Sequence, residues 1–301
     1  MIKELVVVSG KGGTGKTSIT AAFASLAENA VLCDADVDAA DLHLLLAPRV
    51  ETSTDFMGGG LAAIRLEDCV ACGRCLELCR FAAISADYHV DPIACEGCGV
   101  CVDLCPEQAI DFPIKKCGEW YISSTRFGPM VHARLGIAEE NSGKLVSQVR
   151  REATSVAEQR GLEMIITDGP PGIGCPVIAA ISGATALLFV VEPTVSGLHD
   201  MRRVAELAGH FRLPGMVCIN KYDLNEEMSR EIADYATSHN LALVGRVPFD
   251  PVFTRAMLVG KNVLEFDPDT EASREIRQIW AKIQSSPAMA AMGIRDFTVH
   301  S

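Results

Sequence analysis

Residues Val6–Ala24 read VVVSGKGGTGKTSITAAFA, and the fold turns on them. A valine-rich run ends in a glycine-rich loop, and the loop opens straight into a helical segment. Within it, Gly10-x4-Gly15-Lys16-Thr17 has the spacing of a phosphate-binding loop set between a strand and a helix. Backbone N–H groups freed by the glycines can converge on phosphate oxygens. Lys16 brings charge to the β- and γ-phosphates, and the Thr17 hydroxyl can ligate Mg2+. The expected nucleotide-binding set is therefore Gly10, Gly12, Gly13, Thr14, Gly15, Lys16, Thr17 and Ser18. A glycine turn serving only the fold is the competing reading, and it leaves the placement of Lys and Thr unexplained. A second lysine, Lys11, stands in a loop that ordinarily needs one.

Outward from the loop, β-rich runs alternate with helix-length stretches. AVLCDADVD comes soon after the first helix, and MIITDGPPG, ATALLFVVEP, GMVCINKYD and LVGRVPFD come later. This alternation predicts an α/β fold, a parallel sheet with helices on both faces. Ile276, Ile279, Trp280 and Ile283 recur at helical spacing and predict a closing helix. Residues 286–301 show no convincing period and are expected to form a tail. Between 61 and 112 the composition changes, so the core is expected in two parts, 1–60 and 113–285, with a module inserted into one of its loops. MGGG at Met57–Gly60 reads as a flexible entrance to that module, and PIKKCGEW as the return.

With Lys11 included, GKGGTGKT is the deviant form of the Walker A loop, and the chain resembles the MinD/ParA/Mrp ATPases and the nitrogenase iron protein. The resemblance implies an ATP-dependent homodimer in which the extra lysine reaches the nucleotide of the opposite subunit. Lys11 and Lys16 would then both offset charge on the transferred phosphoryl. CDADVD places Asp34, Asp36 and Asp38 where the family keeps Mg2+-associated and water-orienting aspartates. The resemblance assigns Asp34 to the metal and Asp36 to the attacking water, with Asp38 as the alternative. TDGPPG places Asp168 as in Walker B, holding Mg2+ through water, with Gly169–Gly172 as a switch that senses γ-phosphate. NKYD at Asn220–Asp223 resembles a base-recognition motif. Pattern alone would allow guanine there, but the family's use of ATP and the VPFDP loop, with Pro248, favour adenine.

Eight of the twelve cysteines fall in two similar units, CVACGRCLELCRFAAI and CEGCGVCVDLCPEQAI. Their x2, x2, x3 spacings match the two-cluster bacterial ferredoxin pattern, in which the fourth cysteine of each unit ligates the other cluster. One [4Fe–4S] cluster would take Cys69, Cys72, Cys75 and Cys105, the other Cys95, Cys98, Cys101 and Cys79. Arg80 stands where the pattern often has proline, which loosens a turn but removes no ligand. Zinc is the alternative for paired C-x2-C units, and the repeated x3 step fits ferredoxin better. Cys33 and Cys218 lie in β-runs and read as small buried residues. Cys117 and Cys175 carry no C-x-x-C, so no bridging cluster is expected from them. Ser123–Val146, with Arg126, His132 and Lys144, reads either as a surface loop or as a segment that meets the module or a partner.

A net charge of −12 argues against non-specific nucleic-acid binding, which depends on neutralising phosphates. The four-residue apolar run before the glycine loop is too short for a secretory leader, and no span is long enough for a membrane helix. The expectation is a cytoplasmic protein with reduced thiols available for metal. Its expected function is nucleotide-gated electron transfer to an unidentified protein. An iron–sulfur carrier is the alternative, and a MinD-like positioning ATPase with structural clusters a second one. The last of these wants a basic amphipathic C-terminal helix, and MAAMGIRDFTVHS is a poor one.

Overall fold

The computed structural model describes residues 2–136 and 142–290. In chain order the strands are β1 (Lys3–Ser9), β2 (Ala30–Asp34), β3 (Arg49–Gly60), β4 (Ala63–Ile64), β5 (Ile110–Asp111), β6 (Ile114–Thr125), β7 (Gly128–Leu135), β8 (Met164–Pro171), β9 (Ala186–Val191), β10 (Gly215–Asn220) and β11 (Ala242–Val247). The first helices are α1 (Lys16–Ala24), α2 (Leu42–Leu46), α3 (Arg74–Leu78), α4 (Val100–Asp103), α5 (Ser142–Arg160) and α6 (Cys175–Ile181). They are followed by α7 (Val195–His210), α8 (Glu226–Ser238), α9 (Val252–Leu258), α10 (Val263–Phe266), α11 (Glu271–Ser285) and α12 (Pro287–Ala290).

Among the described residues nine strands form one sheet in the order β11-β10-β9-β1-β8-β2-β7-β6-β3, and β4 pairs separately with β5. From β11 across to β7 the pairings are parallel. β9 and β10 are buried at every position, which is why they read as unbroken apolar runs. Leu5, Val7, Leu188 and Val190 share a core with Phe23 of α1 and with Ile276, Ile279, Trp280 and Ile283 of α11. The Phe23 and Trp280 rings lie 5.0 Å apart. Val6, Val8, Leu187 and Phe189, of the opposite parity, are equally buried, so the sheet is covered on its second face too. There α5 and α6 pack against β2 and β8.

The chain divides into two compact units, one of Met1–Ser53, Tyr121–Ala133 and Ser142–Ser301, the other of Thr54–Trp120 and Arg134–Asn141. Three expectations need correcting. MGGG is the end of β3 rather than a flexible entrance, because its glycines make room for aromatic rings. A Cβ on Gly58 would lie 2.5 Å from the Phe56 ring, and one on Gly60 2.5 Å from the Phe112 ring. Ser123–Val146 is no loop: it finishes β6, turns at Arg126–Phe127, forms β7 and enters α5, with residues 137–141 outside the described residues. Its charged residues go three ways. His132 is buried, Lys144 is exposed, and Arg126 at the turn donates to Glu265 and to the Leu45 and Gly260 carbonyls. The tail begins later than expected, since Ser286 caps α12 and Met289 is 4% exposed in the core. Residues 291–301 lie outside the described residues.

Candidate nucleotide site and cysteine recesses

The phosphate loop is moulded by two later elements. Gly15 has φ +88°, and a Cβ there would lie 2.3 Å from Asn220 Nδ2 at the end of β10. At Gly10 a Cβ would come within 2.1 Å of the Asp200 Cβ in α7. Gly12 and Gly13 instead face open space, with nothing within 4 Å of either position.

Lys16 begins α1 and is 5% exposed. Its Nζ lies 2.9 Å from Asp168 Oδ1 and 3.4 Å from Asp36 Oδ2. Asp168, fully buried within β8, accepts also from Thr17 Oγ1 at 2.7 Å and Thr20 Oγ1 at 3.0 Å. Burial alone would push the Lys16 ammonium down, but Asp168, Asp36 and Asp34 more than offset it and hold the pKa above its ordinary value. Burial, then Asp168, drives the Asp34 carboxyl well above the usual carboxylate range. Burial likewise raises Asp36, against the pull of Lys16.

Asp34 is committed to backbone: its oxygens accept from the Asp36 and Leu42 N–H groups, both at 3.2 Å. It thereby fixes the loop that carries Asp36. Asp38 is exposed, and the structure does not bring it to Lys16. Ser18 is half-buried in the first turn of α1. Three buried carboxylates thus share one buried ammonium, an excess of negative charge that suits a divalent cation. Among the described residues no three acidic, His or Cys side chains are placed to hold a metal ion by themselves.

Asn220 donates to the Thr14 carbonyl at 2.7 Å, which fixes its amide orientation and leaves Oδ1 as an acceptor. That Oδ1 and the Thr14 Oγ1 are buried without a partner. Asp223 accepts from Phe249 N–H at 2.6 Å and so anchors the loop holding half-buried Pro248. Lys11, outside the buried cluster, reaches Glu192 at 3.4 Å, Thr194 at 3.4 Å and Ser196 at 3.3 Å. Glu192 also accepts from Lys221 at 2.7 Å, and Lys221 donates to the Gly13 carbonyl. Partial burial raises the Glu192 carboxyl, yet Lys221 and Lys11 outweigh it and leave the pKa lowered.

In the second unit the two cysteine repeats are superposable by a shift of 26 residues, Cys69 to Cys95. Arg65 N–H donates to Ala109 O and Asp91 N–H to Ala83 O, each at 2.8 Å. Ile64 pairs with Ile110, and Val90 with Ile84. Gly73 (φ +77°) and Gly99 (φ +74°) start α3 and α4 in the left-handed region. The thiol sulfurs of Cys79 and Cys105 each accept a backbone N–H at 3.4 Å, from Ala83 and Ala109. Every one of these contacts maps onto its mate by the same shift.

Each half of this arrangement borders a recess. One, of about 350 Å³ and partly open to solvent, is lined by Cys69, Cys72, Cys75 and Cys105. The other, of about 310 Å³, is lined by Cys79, Cys95, Cys98 and Cys101. A four-iron cubane fits such a thiol set, because its ligands sit at separate corners rather than around one ion. Outside the recesses, Cys33 and Cys218 are fully buried, and burial raises both thiols, Cys218 to about 12. Cys117 is buried and its thiol contacts the Gly58 carbonyl, while Cys175 is exposed at the start of α6.

Thr20, Glu192 and Lys221 escaped the sequence reading. Thr20 was within reach of it, since it lies one helical turn after Lys16 and so on the same face. Glu192 sits at the end of an apolar strand run and carries no local signal.

Loop, sheet and buried acidic cluster together define a nucleotide-binding P-loop protein. Residues 5–264 match the family described as the CobQ/CobB/MinD/ParA nucleotide binding domain, and the chain belongs to that family. An uncharacterised protein of Methanocaldococcus jannaschii is 31% identical over 287 residues, covering 94% of this chain and 97% of the relative. An uncharacterised ATP-binding protein of the same organism is 24% identical over 289 residues, covering 94% and 88%. The fold is similar to that of the septum site-determining protein MinD of Pyrococcus horikoshii complexed with Mg-ADP (TM-score 0.59, 18% identity, 95% and 97% coverage). It is also similar to a chain of the MinC:MinD complex of Aquifex aeolicus (TM-score 0.56, 19% identity, 97% and 98% coverage). Among the described residues no helix is long and apolar enough to cross a membrane.

Proposed function

We propose that this protein binds and hydrolyses ATP with Mg2+, and that ATP-dependent pairing of two copies gates electron transfer through two [4Fe–4S] clusters. The observation that carries the cluster half is the crosswise lining of the two recesses, each by three cysteines of one repeat and the fourth of the other. The clusters, when bound, supply low-potential one-electron chemistry. Cys69, Cys72, Cys75 and Cys105 would hold one, and Cys79, Cys95, Cys98 and Cys101 the other.

In the first unit Lys16 sets the charge that meets the β- and γ-phosphates, while Thr17 and Asp168 hold Mg2+, with Asp34 tying down the loop beside them. Asp36 orients the attacking water, and its raised pKa suits an acceptor of that water's proton. The free Oδ1 of Asn220 accepts from an exocyclic amino group, which adenine carries at the edge where guanine carries a carbonyl. That favours ATP over GTP. Lys11 of one copy would act on the nucleotide of the other. Coupling to the cysteine unit is supported by chain order, because that unit starts at Thr54, soon after Asp36.

Anoxic purification with iron and sulfide analysis tests this reading. About eight iron atoms per chain are expected. One or two tetrahedral zinc ions in their place would contradict it. Incubation with an apo-ferredoxin separates gated electron transfer from cluster delivery: the iron should stay on this chain.

A further inference from the structure

Lys11, whose side chain is 35% exposed, is held by long contacts, 3.3–3.4 Å, to Glu192, Thr194 and Ser196. Glu192 is only 17% exposed and has a second, much shorter partner in Lys221 at 2.7 Å. Thr194 is itself fixed, because its hydroxyl caps α7 by accepting from Gly197 N–H at 3.0 Å. The carboxylate therefore stands between two lysines that differ in grip. If Lys11 leaves, Lys221 still satisfies Glu192, and no half-buried charge is stranded.

We propose that Glu192 is a positioning residue that parks Lys11 within its own subunit until a second copy arrives, and that it sets how readily the ATP-bound dimer forms. The proposal rests on the dimer reading above. It adds to that reading the residue that holds the signature lysine back. The charged partners of Glu192 are Lys11 and Lys221, and Glu192 acts through Lys11. Because the contact is long and partly solvated, its hold is modest and its loss should move an equilibrium rather than abolish a step.

The test follows ATPase rate per chain against protein concentration, with sedimentation in the presence of a slowly hydrolysed ATP analogue. Glu192→Gln should reach half-activation at about three- to fivefold lower protein concentration than the unaltered chain. In a Lys11→Ala background the same substitution should leave the concentration dependence unmoved, whereas a general disturbance of the fold would act there too. Glu192→Asp, which keeps the charge, should return most of the way. A Glu192→Gln curve that superimposes on the unaltered one, or moves to higher concentration, overturns the parking role. A per-chain rate independent of concentration in the unaltered protein, equal to that of Lys11→Ala, overturns the dimer reading itself and the parking role with it.

Discussion

The two units solve the same problem, a small site of high charge, by opposite means. In the first, a large two-faced core comes before the site. Lys16, Asp36, Asp168, Thr17 and Thr20 already bond to one another, on elements anchored by residues such as Phe23, Leu188 and Trp280. In the second, the cysteine-bearing stretch has little core to precede anything. Between 61 and 112 the buried apolar residues are Ala62, Ala83, Ile84, Ala109 and Ile110. Around this handful sit two thiol-lined recesses, each partly open to solvent. A segment with so little apolar burial needs a staple, and metal bound in those recesses would be one. The lesson is that one site is carved into a fold and the other would largely be the fold.

The largest effect expected from this contrast is on iron removal. Stripping the chain with chelator and ferricyanide should abolish hydrogen-exchange protection across residues 61–112 while the first unit keeps its own. Equal loss in both would erase the distinction. Next comes Lys16→Ala, which should weaken ATP binding at least about 100-fold, since it strands Asp168 and Asp36 without their cation. The cluster absorption should stay intact, and a joint loss would mean that the units do not stand apart. Smaller still is Cys105→Ser. On the crosswise assignment it should remove about half the iron, by sparing the set that contains Cys79. Spectroscopic loss of the Cys95 set instead would reverse the assignment.

A pH-dependent effect belongs to His132 in the first unit, whose ring accepts from or donates to Ser123 Oγ at 2.9 Å. Burial, and then His43, lower its pKa from 6.5 to about 4. A depressed base stabilises the fold above its unfolded pKa, and that contribution drains away as pH falls through the folded one. Between pH 6.5 and about 4 the unaltered protein should therefore lose up to about 3 kcal/mol that His132→Gln keeps. Parallel denaturation curves for the two across that window would remove His132 from the account.

Strands with a buried face on each side were legible, because β1, β8, β9 and β10 leave continuous apolar runs. β3 left none: RVETSTDFMGGG is exposed over its first seven residues and has no apolar pattern to read. β6 and β7 were hidden for a related reason, since Tyr121, Arg126 and His132 break the alternation that would mark a hairpin. Local spacing marked the phosphate loop and the two cysteine units, whose residues lie a few positions apart within each, while the pairing of Cys105 with the first unit and of Cys79 with the second spans 30 and 16 residues. Contacts of long range, such as Lys11 with Glu192 or Gly10 with Asp200, have no such trace. They exist only once the sheet has brought β1 beside β9.

The proposed function makes one claim about both units: that the state of the phosphate site and the state of the cysteine recesses affect each other. The direct measurement is the anaerobic ATPase rate of iron-loaded protein, compared between its oxidised form and the same sample reduced with dithionite. A rate that differs several-fold between the two forms, and a difference that Cys105→Ser diminishes, is the predicted result. Identical rates in protein shown to carry its full iron would contradict it.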